Sequence, residues 1–122
     1  MRRTLLFVIA TLSLVTPALA DGDAAQGEKV FGKCKACHEF AAKNKVGPTL
    51  HGVIGRKAGT VEGFKYSEAM VNSGITWDVT TLTAYLKDPK GYVPGNKMAF
   101  AGLKKDEEVV DVIAYIQQAS TK

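Results

Sequence analysis

Residues 34–38 read Cys34-Lys35-Ala36-Cys37-His38. C-x-x-C-H is the attachment signal for c-type haem. Each thiol adds across one vinyl group of the porphyrin, and two intervening residues suit one helical turn, which matches the spread of the two vinyls. His38 follows directly, placed to bring its imidazole to the iron as proximal ligand. Cys34 and Cys37 are the only cysteines, so the motif uses the whole thiol supply. A C-x-x-C pair on its own also fits a thioredoxin-like redox centre, half a zinc site or a disulfide. A zinc site needs about four ligands, and outside the motif the only His or Cys is His51. No run of β-branched strands supplies the βαβ setting of a redox motif, and a plain disulfide gives His38 no purpose.

Working towards the N-terminus, the chain opens with a targeting pattern. Arg2 and Arg3 form a basic head, and Leu5 to Val15 an apolar stretch too short for a mature membrane anchor. Pro17 interrupts it, and Ala18-Leu19-Ala20 is the small-residue pattern of signal peptidase. Residues 1–20 therefore read as a cleaved signal peptide and residues 21–122 as the mature domain. Export suits the motif, because haem is attached outside the cytoplasm. Taking 20 from 122 leaves 102 residues, enough for one small domain. Losing Arg2 and Arg3 leaves 14 basic against 12 acidic side chains, a mature net charge of +2. No second long apolar stretch, repeat or low-complexity tract follows, so the mature protein is expected to be soluble and monomeric.

Working outward in the other direction, the pattern is all-α. Asp23 is placed to cap a first helix over 24–36 that runs into the haem motif, with Val30 and Phe31 on its apolar face. Residues 51–65 hold Gly52, Gly55, Gly59 and Gly63 and read as turns. Ser67 caps a short helix over 68–73, stopped by Gly74. Asp78 caps another over 79–87, ended before Pro89. Residues 89–102 read as a loop. Val109, Val110, Ile113 and Ile116 mark a last helix over 105–119, and Asp106, Glu107 and Glu108 complement the dipole at its start. Loops this long in so small a domain need something to pack on, and a buried haem is that object.

The iron needs a sixth ligand unless it binds gas or substrate. His51, Met70 and Met98 are the candidates. Met70 lies on a short amphipathic helix, where methionine commonly fills core. His51 is only 13 residues from His38, too near in sequence for the opposite haem face. Met98 lies 60 residues beyond His38, in Tyr92-Val93-Pro94-Gly95-Asn96-Lys97-Met98. Pro94 and Gly95 let that loop lie against a porphyrin and present the thioether. His/Met ligation favours Fe(II) relative to His/His. A coordinatively full iron of this kind moves electrons and makes no bonds.

With these stretches in view, the chain resembles the class I c-type cytochromes, the family of mitochondrial cytochrome c and of soluble bacterial cytochromes of the c-two type. The resemblance runs through 21–122. It is carried by Cys34–His38, Gly47-Pro48-Thr49-Leu50-His51-Gly52, Gly55-Arg56-Lys57-Ala58-Gly59, Gly74-Ile75-Thr76-Trp77, Tyr92 to Gly102, and Asp111-Val112-Ile113-Ala114-Tyr115-Ile116. It implies a small all-α fold of three to five helices and ordered loops around one covalent haem c. It implies further that the Pro48 carbonyl takes the His38 N–H, which fixes the tautomer. Arg56, Tyr66 and Trp77 would face the haem propionates. Tyr85 would hydrogen-bond near the Met98 sulfur, Phe100 would shield that edge, and Gly27 would meet Tyr115 where the first and last helices cross. Met70 and Asn96 stand where the family usually has Asn and Thr.

Lys33, Lys35, Lys45, Lys90, Lys97, Lys104 and Lys105 all fall near haem-binding segments, whereas acids concentrate elsewhere. They read either as part of a mixed solvated surface or as a docking ring for acidic partner faces, and the ring is the expectation. No nucleic-acid motif is present. The expected protein is a periplasmic electron carrier and not an enzyme. It would run between a quinol-oxidising cytochrome complex (quinol–cytochrome c reductase) and a terminal oxidase, a photosynthetic reaction centre or a periplasmic reductase. The rival is a haem c enzyme or gas-binding sensor with an open iron site.

Overall fold

The structure, a computed structural model, describes residues 10–13 and 22–121. The predicted cleavage site after Ala20 lies outside the described residues. Among the described residues five α-helices follow one another: α1 Ala24–Phe31, α2 Glu68–Val71, α3 Val79–Lys87, α4 Pro89–Tyr92 and α5 Asp106–Ala119. No strand forms among the described residues, and an isolated antiparallel bridge links Lys57 to Thr76.

Each start has a local chemical cause. The Asp23 carboxylate accepts the N–H groups of Ala25 and Gln26 at 2.9 and 3.2 Å. Ser67 Oγ accepts the Met70 N–H. Asp78 and Thr81 form a reciprocal capping box: Asp78 takes the Thr81 N–H at 2.8 Å, and Thr81 Oγ1 takes the Asp78 N–H at 2.9 Å. The three acids open α5 as expected.

Helix α1 is shorter than the 24–36 expected. Past Phe31 the bonding tightens: Gly32, Lys33 and Cys34 donate to the carbonyls of Lys29, Val30 and Phe31, three residues back. Successive turns therefore carry the chain through the cysteine motif. Helix α4 corrects the expectation of loop throughout 89–102. Pro89 occupies the first turn, where its missing N–H costs nothing, and Asp88 accepts the Gly91 N–H at 3.0 Å.

Helices α1 and α5 cross in close contact. A Cβ on Gly27 would collide with the Asp111 carbonyl, so only glycine lets the backbones meet there. The crossing is pinned by the Asp23 N–H to Asp111 carboxylate bond of 2.8 Å. Beside it Phe31, Phe40 and Tyr115 pack with ring centroids 4.9–5.7 Å apart. Helix α3 packs on the other side of α5. Phe31, Leu82, Tyr85, Leu103, Val109, Val112, Ile113 and Ile116 form the core between them.

The glycine-rich turns 51–65 are tied to fixed elements. Gly55 N–H donates to the Trp77 carbonyl at 2.7 Å, Ala58 N–H to Ile75 at 2.8 Å, and Gly52 N–H to Ser120 at the end of α5 at 2.8 Å. These loops and the helices together wall a cavity.

Candidate functional site

Two turns of backbone set the cysteine motif. Cys37 N–H and His38 N–H both donate to the Cys34 carbonyl, at 3.1 and 3.0 Å. That is the one-turn spacing expected of the pair. Both cysteines are free thiols, and burial pushes the Cys34 thiol up, which keeps it neutral.

The segment after His38 folds back on it. Gly47 N–H donates to the Cys37 carbonyl at 2.8 Å, which delivers the Pro48 carbonyl to His38 Nδ1 at 2.8 Å. A carbonyl only accepts, so Nδ1 carries the proton and Nε2 keeps its lone pair. Burial lowers the His38 pKa, against the pull of the Pro48 carbonyl, and favours this neutral ring. A Cβ on Gly47 would collide with the imidazole. Gly47 thus sets the ring from one side, a role that sequence reading left unassigned.

Cys34, Cys37, His38, Pro48, Arg56, Tyr66, Trp77, Tyr85, Met98 and Phe100 all line one cavity of about 460 Å³. They come from stretches spread over more than half of the chain. Met70 lines the same cavity but is 9% exposed within the core, whereas His51 is exposed and outside it.

Elsewhere on the cavity wall, Tyr85 hydroxyl donates to Met98 Sδ at 3.7 Å. Burial pushes the Tyr85 phenol up to about 12, so it remains a donor at any physiological pH. Trp77 supports Tyr85 with ring centroids 4.9 Å apart. The Arg56 guanidinium donates to the carbonyls of His51 at 2.9 Å and Thr49 at 3.0 Å. Burial lowers its pKa, yet a guanidinium stays charged. Only part of its fork is used by these two backbone bonds. Tyr66 hydroxyl accepts the Val61 N–H at 3.1 Å and keeps its own proton to donate.

The cavity fits a covalent haem. Its walls are mainly apolar, with Leu50, Val53, Phe64 and Leu82 among them. Two thiols stand at one side, an unprotonated imidazole nitrogen beside them, and a thioether and a fixed cation lie elsewhere on the wall.

Five of the seven lysines expected to dock partners have contacts on the protein itself. Lys33 lies 3.6 Å from Glu108. Lys45, Lys90, Lys97 and Lys104 donate to the carbonyls of Lys35, Asn96, Lys65 and Ala101 at 2.7–3.2 Å. Lys35 and Lys105 are exposed.

The chain matches the family model for cytochrome c over residues 24–120. It is 54% identical to cytochrome c2 of Blastochloris viridis over 115 residues, which cover 93% of this chain and 88% of that one. It is 60% identical to cytochrome c2 iso-2 of Magnetospirillum fulvum over 94 residues, 76% of this chain and 98% of that one. Among solved structures, cytochrome cH from Methylobacterium extorquens superposes with a TM-score of 0.77 at 53% identity, covering 80% of this chain and 99% of that one. Fold, cavity and relatives agree: this chain belongs to the cytochrome c family, in its class I all-α form close to the c2 type, and carries that family's one covalent haem c.

Proposed function

We propose that this chain is a one-electron carrier of the bacterial periplasm, with haem c bound through Cys34 and Cys37 and its iron held by His38 and Met98. The observation that carries the reading is the pairing of two prepared ligands on one cavity. His38 has its Nδ1 committed to Pro48, and Met98 has its sulfur oriented by Tyr85. When bound, the haem supplies an iron that cycles between Fe(II) and Fe(III).

The protein's part is to hold the site unchanged through that cycle. Pro48 fixes the imidazole tautomer and ring plane. Tyr85 donates to a sulfur that has lone pairs to spare. Phe100 and Leu82 exclude water from the cavity, while Arg56, Tyr66 and Trp77 provide donors for the propionates, whose burial needs compensation. A site with both axial positions filled by its own side chains leaves no place for a substrate, which supports a carrier over an enzyme or a gas sensor.

The apolar leader, export and extracytoplasmic haem attachment support the periplasmic placement. No helix among the described residues is long and apolar enough to cross a membrane. A quinol-oxidising cytochrome complex as donor, and an oxidase, reaction centre or reductase as acceptor, fit such a carrier. The lysines near the cavity provide the docking face.

Carbon monoxide binding to the reduced holoprotein tests the closed site. The wild type binds it weakly and slowly, because Met98 must leave first. Met98→Ala binds it rapidly, loses the sulfur-to-iron optical band and has a lower potential. Rapid, tight binding by the wild type contradicts the carrier reading and favours the open-site rival.

A further inference from the structure

Asn96 is a buried polar residue, 5% exposed, two positions before Met98. Its Nδ2 donates twice, to the Pro89 carbonyl at 2.8 Å and the Val93 carbonyl at 2.9 Å. Its Oδ1 accepts the Met98 N–H at 2.9 Å. Its own carbonyl accepts Lys90 Nζ at 2.7 Å. One side chain therefore ties the first residue of α4, the residue that ends it, and the backbone of Met98. Both amide hydrogens are used, so its capacity as a donor is spent within this loop.

We propose that Asn96 is a positioning residue for Met98, and that its amide clamp sets how firmly the thioether holds the sixth position of the iron. The proposal rests on Met98 being the axial ligand. The chemistry of the clamp is specific to an amide. Threonine has one hydroxyl hydrogen and cannot serve both carbonyls while also accepting from Met98. Aspartate keeps the shape and the acceptor but loses both donors, and sets a carboxylate against two carbonyl oxygens. Releasing the clamp frees the Met98 backbone from α4 and shifts the loop towards conformations in which the sulfur is withdrawn. An added ligand binds only to that withdrawn state, so its apparent affinity reports the population directly.

Imidazole titration of the ferric holoprotein, followed at the sulfur-to-iron optical band, is the test. Asn96→Asp raises imidazole affinity on the order of tenfold or more, the effect of losing a buried hydrogen-bonding pair. Asn96→Thr, which keeps one donor, gives a smaller rise. Wild-type affinity and band intensity in both variants overturn the proposal. So does a fall in denaturant midpoint with unchanged imidazole affinity, which marks Asn96 as structural alone. Should Asn96→Asp fail to load haem, the Asn96→Thr titration decides by itself. Failure of the underlying reading looks different: the wild type itself shows no sulfur-to-iron band, and Met98→Ala binds imidazole no better than the wild type.

Discussion

At the scale of single residues, the proposed site depends on groups that act on His38 and Met98 and not only on those two side chains. Tyr85 illustrates the magnitudes. Its hydroxyl lies 3.7 Å from Met98 Sδ, a long contact to a soft acceptor. A net hydrogen bond of about 1 kcal/mol or less corresponds to under tenfold in the redox equilibrium, hence to under 59 mV for one electron. Tyr85→Phe makes the sulfur a better donor to iron, which favours Fe(III). Its potential falls by tens of millivolts, read by equilibrium titration of the purified holoprotein, and a rise contradicts this account of the contact. The proposed ligands could be named from the sequence because their chemistry is scarce: the chain has two cysteines, two histidines and three methionines. Gly47 and Asn96 were not assigned roles, since a missing Cβ against an imidazole and an amide shared among three backbone groups are visible only once the loops are folded.

At the scale of elements, caps decide where helices begin, and they were readable. Ser67 and Asp78 stand where the structure uses them. The end of α1 and the existence of α4 were misread for different reasons. The first helix was read through Gly32 to residue 36, whereas past Phe31 it tightens into turns that carry the cysteines, and Pro89 was read as opening a loop, whereas it starts a helix capped by Asp88. The α3 cap has a consequence with pH. The Thr81 N–H holds the Asp78 carboxyl below its ordinary value. A depressed native pKa means that the stabilisation is present above the unfolded pKa and lost as pH falls through the native one. Asp78→Ala is therefore less stable than the wild type at neutral pH, and the gap narrows in acid below the ordinary carboxylate range. Denaturant melts across pH measure it, and a gap that stays constant into acid contradicts the role of the charge.

At the scale of the whole molecule, long loops become ordered because they are tied to helices and share one cavity. The bonds from Gly55 to Trp77, Ala58 to Ile75 and Gly52 to Ser120 close the glycine-rich turns onto fixed elements. None of these partners is visible in local sequence patterns, which is why 51–65 was legible only as turns. Outside, the proposed docking face is a set of lysines on a chain whose overall excess of base is small. The Lys33–Glu108 pair is partly exposed and worth little, and Lys35 and Lys105 are exposed, so their ammonium groups are within reach of an acidic partner. The bimolecular rate of electron transfer to a partner with an acidic docking face falls as ionic strength rises. Stopped-flow mixing over a salt series measures it, and a flat response removes the docking face. The central claim is narrower than any partner. Iron K-edge X-ray absorption of the ferric holoprotein counts the scatterers directly. The account predicts one sulfur and five nitrogens, with the sulfur lost in Met98→Ala. Six nitrogens, or an iron with an open sixth position, would contradict it.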